Sequence, residues 1–294
     1  MSRGDTAELL DPRARRGLRG LRAEIDRLLV RPSRAHPTDE ADLTDLVYRT
    51  LHSRNFPPGG RDSANRAQFT AMLTAARARL ADVTVPHPDW TRARYVAGRL
   101  IVRHRDGSEA VLPPSVAATW PKDVPALDAP ALAVASDTRW LRWNPPGLPA
   151  DALRARLYLN VRPDRAVDVW CRLVRSLTGS PVAFATKICG SPELLARADS
   201  IVVYLPPAHL PDALAAVDAA GVAHELAPEV PAFSSPVAPG IGAATVPEGQ
   251  PAHTSVGLHW SRELASGWLD RGSVGIDEVS REVAASWSDV LHRL

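Results

Sequence analysis

Lysine is all but missing from this chain: of 35 basic residues only Lys122 and Lys187 are lysine, and the rest are arginine. Surface charge is therefore supplied by arginine, and a lysine in an apolar run calls for a chemical reason. An ammonium can give up its proton when its surroundings lower its pKa, whereas a guanidinium effectively cannot. Lys122, in WPKDVP, is flanked by prolines and reads as exposed loop; Lys187, in VAFATKI, does not. Cysteine is equally scarce. Cys171 and Cys189 are too few for a disulfide framework or a Cys-based zinc site, and they read as small buried residues. No apolar run is long enough to span a bilayer and nothing resembles a secretory signal, so the expected location is the cytoplasm, with no membrane partner. HExxH, paired CxxC and DxDxD-like runs are missing too, so neither metal nor cofactor is expected. GIGAAT at Gly240 lacks the GxxxxGK[ST] phosphate loop, which leaves any phosphate to be installed by a separate kinase. A formal net charge of +2 is too small to argue for nucleic acid.

What is present is a chain of 294 residues, 45% hydrophobic, able to bury a substantial core as one large or two modest domains. Three segments carry apolar residues at helical spacing: LRGLRAEIDRLLV, then TDEADLTDLVYRTL after Thr38, then NRAQFTAMLTAARARL from Asn65. The Arg-rich first segment reads as a solvated face, with peptide or partner docking as the lesser reading. From Arg94 the pattern turns to short strands, RYVAGRLIVRH and EAVLPP about an Asp106-Gly107 hairpin turn, followed by ALAVAS and TRWLRWN. ARLYLNV, VAFATKI and SIVVYL read as further strands; PDRAVDVWCRLVRSL and DALAAVDAA read as helices. PAFSSPVAPGIGAATVPEGQP is either a disordered connection or an ordered binding loop. Two closing helices are expected, around Trp260 and from Ile276 to Leu294. The fold class is α+β: a helical N-terminal region over 1–90, then an α+β region over 91–294 with a mixed or antiparallel sheet and flanking helices, possible as one continuous domain.

Side chains alternate along a strand, so Arg156, Tyr158 and Asn160 share one face of ARLYLN while Leu157, Leu159 and Val161 face the core. Lys187, Arg197 before DSIVVYL, and Tyr204 within it add polar groups in apolar settings. Taken singly, Arg156 and Asn160 fit exposed strand residues, the tyrosines fit amphipathic core residues, and Lys187 fits an edge-strand charge. The cluster is stronger than its members.

Together, ARLYLNVRPDRAVDVWCRLVRSL, PVAFATKICGSPELLARADSIVVYLP, PAFSSPVAPGIGAATVPEG and SVGLHWSRELASGWL resemble the HopA-type effector family over about residues 130 to 270. Biosynthetic members of that family are phosphoserine/phosphothreonine lyases of lanthipeptide and related peptides. A more distant likeness is to bacterial effector phosphothreonine lyases, which use a lysine base, a histidine acid and an arginine cluster. The order Lys187, Arg197, Tyr204 is similar to theirs, with Arg156 and Tyr158 where a basic residue and the acid histidine are expected; the tyrosine is a departure. The resemblance implies a phosphorylated precursor peptide as substrate and a separate kinase and cyclase as partners.

β-Elimination needs a base for the Cα proton, neutralisation of a dianionic phosphate, and stabilisation of enolate charge. Lysine serves as base only when partly neutral, which calls for burial and adjacent cations. The resemblance implies Lys187 as base with Arg156, Arg197 and Tyr204 about the phosphate and peptide; the chemistry adds Asn160 and Arg262 as binding candidates, and Tyr158, Tyr204 and His259 as candidates for the proton donor. The Pro/Gly-rich loop from Pro231 to Gly249 is expected either to cover the peptide, with Phe233 packing on it, or to be a plain linker. His253, in the loop sequence that follows, is set behind the other donor candidates. The alternatives are a non-catalytic module that holds phosphopeptide or leader peptide for a kinase or cyclase, a lanthionine cyclase, and a host-directed effector.

Overall fold

The computed structural model describes residues 11–30, 39–54, 66–87, 90–97, 99–104, 107, 109–112, 127–129, 132–134, 140–145 and 148–294. Lys122, Asp106 and most of the proline-broken stretch before Pro130 lie outside them. A seven-stranded sheet organises the chain. Its strands are β6 (Leu132–Val134), β7 (Trp140–Trp143), β8 (Ala155–Leu159), β9 (Ala185–Cys189), β10 (Ile201–Leu205), β11 (Ser235–Ala238) and β12 (Ile241–Thr245), in the order β11-β12-β8-β10-β9-β7-β6. Every pairing is antiparallel. Two small sheets stand apart: β1 (Val85–His87) with β5 (Leu127–Ala129), and the meander β2 (Trp90–Val96), β3 (Arg99–His104) and β4 (Glu109–Leu112). The α+β class read from the sequence is the class observed.

Helices cover both faces of the large sheet. On one, α3 (Arg66–Arg79), α4 (Ala166–Thr178) and α5 (Leu210–Ala219) pack on Leu157, Leu159, Ile188, Ile201 and Val203. Helix α4 forms because Ala166, Val169, Trp170, Leu173, Val174 and Leu177 recur at three- and four-residue spacing, and all six are buried. Each large side chain among them contributes about 1.5–3 kcal/mol by leaving water. On the other face lie α1 (Pro12–Ile25), α2 (Glu40–Val47), α6 (Val256–Arg271) and α7 (Ser273–Leu291), around a second core that includes Tyr158, Val202, Phe233 and Trp260. Helices α1 and α2 each run into a π-helical turn, Asp26–Val30 and Tyr48–His52. Such turns are rare and recur at functional sites.

The segment from Pro231 to Gly249 is no loose connection. It forms the hairpin β11–β12 at the sheet edge, turning at Gly240 with φ of +72°, where a Cβ would also stand 2.4 Å from the Ala227 carbonyl oxygen. Phe233 is fully buried in the second core, so it does not project from a loop onto a bound peptide. Cys171 and Cys189 are both free and buried, and burial pushes the Cys171 thiol up to about 12.

Candidate functional site

Register assembles the polar face. Val202 of β10 pairs with Tyr158 on one side and Lys187 on the other, and Tyr204 pairs with Arg156. Side chains directly opposite in an antiparallel ladder share a face, so Arg156, Tyr158, Tyr204 and Lys187 stand together. Strand β7 adds a residue that the sequence reading passed over: Arg142 lies directly opposite Lys187. Trp140, two residues back on the same face, carries the Lys187 ammonium 3.8 Å from its ring centroid, with the Tyr204 ring at 5.6 Å.

A cleft of about 300 Å³ opens at this point, lined among others by Arg142, Asn144, Leu153, Lys187, Tyr204 and His253. Lys187 is half-buried and Arg142 exposed. Neither side chain has a carboxylate partner among the described residues. Two adjacent cations facing one cleft suit the binding of a phosphate dianion.

The other predicted arginines are committed elsewhere. Arg156 is buried, and its guanidinium donates to the carbonyl oxygens of Leu153 (2.6 Å) and Ala155 (3.0 Å). It also donates to those of Ala252 and Thr254, while stacking over Tyr204 at 4.4 Å. Burial lowers its pKa, partly offset by Tyr158 and Tyr204. By gripping the carbonyls on either side of His253, Arg156 sets that histidine on the cleft wall. Arg197 forms a two-pronged pair with Asp199 at 2.8 and 2.7 Å and donates to the Tyr48 hydroxyl at 2.8 Å. Asn160 donates to the Glu229 carbonyl oxygen at 3.0 Å and so anchors the approach to β11. The expected phosphate-binding cluster of Arg156 and Arg197 is thus an internal scaffold, because both forks already face acceptors.

Behind Lys187 lies a buried network with no counterpart in the sequence reading. The π-turn after α2 delivers Tyr48 and His52 to Asp199, with the Tyr48 hydroxyl at 3.4 Å and His52 Nε2 at 3.9 Å from its carboxylate. The His52 ring stacks on Phe233 at 5.8 Å and on Tyr48 at 5.4 Å, and meets Tyr158 edge-on at 5.3 Å. Gly257 of α6 lets it in: a Cβ there would stand 2.2 Å from the imidazole. Burial raises the Tyr158 hydroxyl well above its ordinary value, and Tyr158 does not line the cleft. Burial would likewise raise Asp199, but the Arg197 charge and hydrogen bonds outweigh it, with His52 and Lys187 adding, and hold the carboxyl at about 2.

His52 sets a pH dependence. Burial lowers its pKa from 6.5 to about 4, against the pull of Asp199. Between those values the unfolded chain binds a proton that the folded chain refuses, so stability falls as pH drops from 6.5 towards 4, by about 3 kcal/mol for the group alone. Urea unfolding at a series of pH values should show this decline, and His52→Phe should flatten it.

His259 and Arg262 do not join the cleft. They lie on α6, with His259 Nδ1 4.0 Å from Glu263 and its ring against Trp260 at 4.8 Å. Burial lowers the His259 pKa, partly offset by Glu263. Of the residues the sequence singled out, the structure brings Lys187 and Tyr204 to the cleft, puts Arg156, Tyr158, Asn160, Arg197 and Phe233 beside or beneath it, and leaves His259 and Arg262 apart. Arg142 and Trp140 were within reach of sequence reasoning, since TRWLRWN alternates and sets both on one face. Among the described residues no helix is long and apolar enough to cross a membrane, and no cluster of His, Cys, Asp and Glu could hold a metal ion.

Residues 139–291, from the start of β7 through α7, match the model of the HopA1 effector protein family. No curated protein matches the chain by sequence. Among solved structures, the effector protein from Pseudomonas syringae pv. syringae strain 61 aligns with a TM-score of 0.50 at 14% identity, over 91% of this chain and 92% of that one. The effector protein from Pseudomonas syringae pv. tomato strain DC3000 aligns with a TM-score of 0.55 at 13% identity, over 93% and 98% of the two chains. At such identities the likeness speaks for the fold.

Proposed function

We propose, for a chain that belongs to the HopA1 effector protein family, that the cleft at Lys187 is the active site of a phosphoserine/phosphothreonine lyase acting on a phosphorylated precursor peptide. The observation that carries this reading is the pair of Lys187 and Arg142, adjacent across β7 and β9, open to the cleft and without a carboxylate partner among the described residues. In the reaction the Lys187 amine takes the Cα proton of the phosphorylated residue. The electrons of that C–H bond form the Cα=Cβ double bond, the Cβ–O bond breaks, and its electron pair leaves with the phosphate. Arg142 holds the dianion through the step, and it stays protonated beside a second cation. His253, on the wall of the same cleft, is the donor that protonates the departing phosphate, in the place the sequence reading gave to Tyr158 or His259. Arg156 acts through His253 and is a positioning residue. A separate kinase supplies the phosphate, and a cyclase consumes the dehydroamino acid.

Incubation with a phosphoserine peptide should release phosphate and leave a peptide that adds 2-mercaptoethanol. General acid help is typically worth about 10²–10⁴-fold. His253→Ala should therefore slow turnover by about 10²-fold, whereas His259→Ala should leave it within about twofold. Unchanged phosphopeptide after long incubation with active-site-intact protein would favour a module that only binds it.

A further inference from the structure

A second concavity lies away from the Lys187 cleft. Helices α1 and α7 pack along one another, and between them runs a groove of about 520 Å³ lined by Leu18, Arg19, Arg22, Asp277, Ser280 and Arg281 among others. Arg22 is held between two carboxylates, Asp26 at 3.3 Å and Asp277 at 3.2 Å. Arg19 and Arg281 are exposed, and neither has a carboxylate partner among the described residues. Several other surface arginines do pair with acids, Arg49 with Asp45, Arg54 with Glu24, Arg175 with Asp82 and Arg271 with Glu278. Arg16, three residues before Arg19 on α1 and also exposed, extends the cationic rim along the same side of the helix. The wall between the cations is apolar at Leu18.

We infer that this groove docks an acidic peptide segment, with carboxylates on Arg19 and Arg281 and an apolar side chain against Leu18. Charge complementarity selects that occupant: two exposed guanidiniums without a carboxylate partner among the described residues flank an apolar wall, and Arg281 makes only a hydrogen bond to the Asp277 carbonyl oxygen. The inference is independent of the chemistry at Lys187. If the lyase reading also holds, the groove gives the enzyme a hold on its substrate away from the reacting residue. Helix α1 lies against β11, and Lys187 stands on β9, four strands away in the same sheet, roughly 19 Å in the strand-to-strand direction. An extended stretch of about six residues covers that span.

The test is fluorescence anisotropy with a short fluorescein-labelled amphipathic peptide carrying glutamate on one face and leucine on the other, and the same peptide with lysine for glutamate. The acidic peptide should bind, and more weakly as salt rises; the lysine peptide should not. Reversing both free cations in an Arg19→Glu, Arg281→Glu double variant should weaken binding about tenfold or more. Arg281→Gln is a milder second variant that tests the same point should the reversal perturb folding. Lys187→Ala should bind as the parent does, so failure here is distinguishable from failure of the lyase reading. Equal affinity for the two peptides, or unchanged affinity in both variants, overturns the inference. So does co-sedimentation with phosphatidylglycerol vesicles that is lost in the same variants while the peptide fails to bind.

Discussion

Lys187→Arg is expected to lower turnover of a phosphoserine peptide by about 10³-fold or more while leaving its affinity within a few-fold of the parent's. The substitution keeps a cation over Trp140 and beside Arg142, so the electrostatic attraction for phosphate is retained. It removes the one property arginine cannot supply, an amine able to exist unprotonated and accept the Cα proton. Lys187→Ala should lose both, with turnover gone and affinity reduced. Single-turnover kinetics combined with equilibrium binding separates the two effects. An arginine variant as active as the parent would mean that position 187 contributes charge alone, and the module that merely holds phosphopeptide would then be the better description.

The second large effect falls on folding rather than chemistry. Asp199→Ala should destabilise the protein by about 3–5 kcal/mol, because it leaves the Arg197 guanidinium buried without its counter-charge. Replacing both partners with apolar residues of similar size, Asp199→Leu with Arg197→Met, should restore most of that loss, since the desolvation cost of the pair disappears with the charges. Urea unfolding at neutral pH reads both variants. The pair also adds an acid limb to stability. Asp199 is held at about 2 when folded and has an ordinary carboxyl pKa of 3.8, so its contribution is complete above pH 4 and lost as pH falls towards 2. That window lies below the one set by His52, so acid should weaken the fold in two steps, first at the imidazole and then at the carboxylate.

How far the sequence discloses this molecule depends on the kind of pattern each element carries. ARLYLN, VAFATKI and SIVVYL alternate or run apolar between clear breaks, and PDRAVDVWCRLVRSL repeats its apolar positions at helical spacing, so β8, β9, β10 and α4 are legible. The hairpin β11–β12 is not, because Pro, Gly, Ser and Ala neither alternate in polarity nor favour a strand; pairing with β8 makes it one. Lys187 stands out by scarcity, and its cleft follows from register. The partners of Arg156 are not legible, because backbone carbonyls such as those of Ala252 and Thr254 leave no trace in a sequence. Asp199 did stand two residues from Arg197, a spacing at which a side-chain pair can close locally, and it was the available hint. His52 was beyond reach: its burial depends on a π-turn that alters the helical phase and on a glycine about two hundred residues away.

The most direct test of the central claim is the fate of oxygen when a phosphoserine peptide is turned over in water enriched in oxygen-18. Elimination through Lys187 breaks the Cβ–O bond and uses no water, so the released phosphate should carry none of the label and the peptide should be recovered as dehydroalanine. Labelled phosphate together with the unmodified serine peptide would mean that water had attacked phosphorus, and would contradict the account.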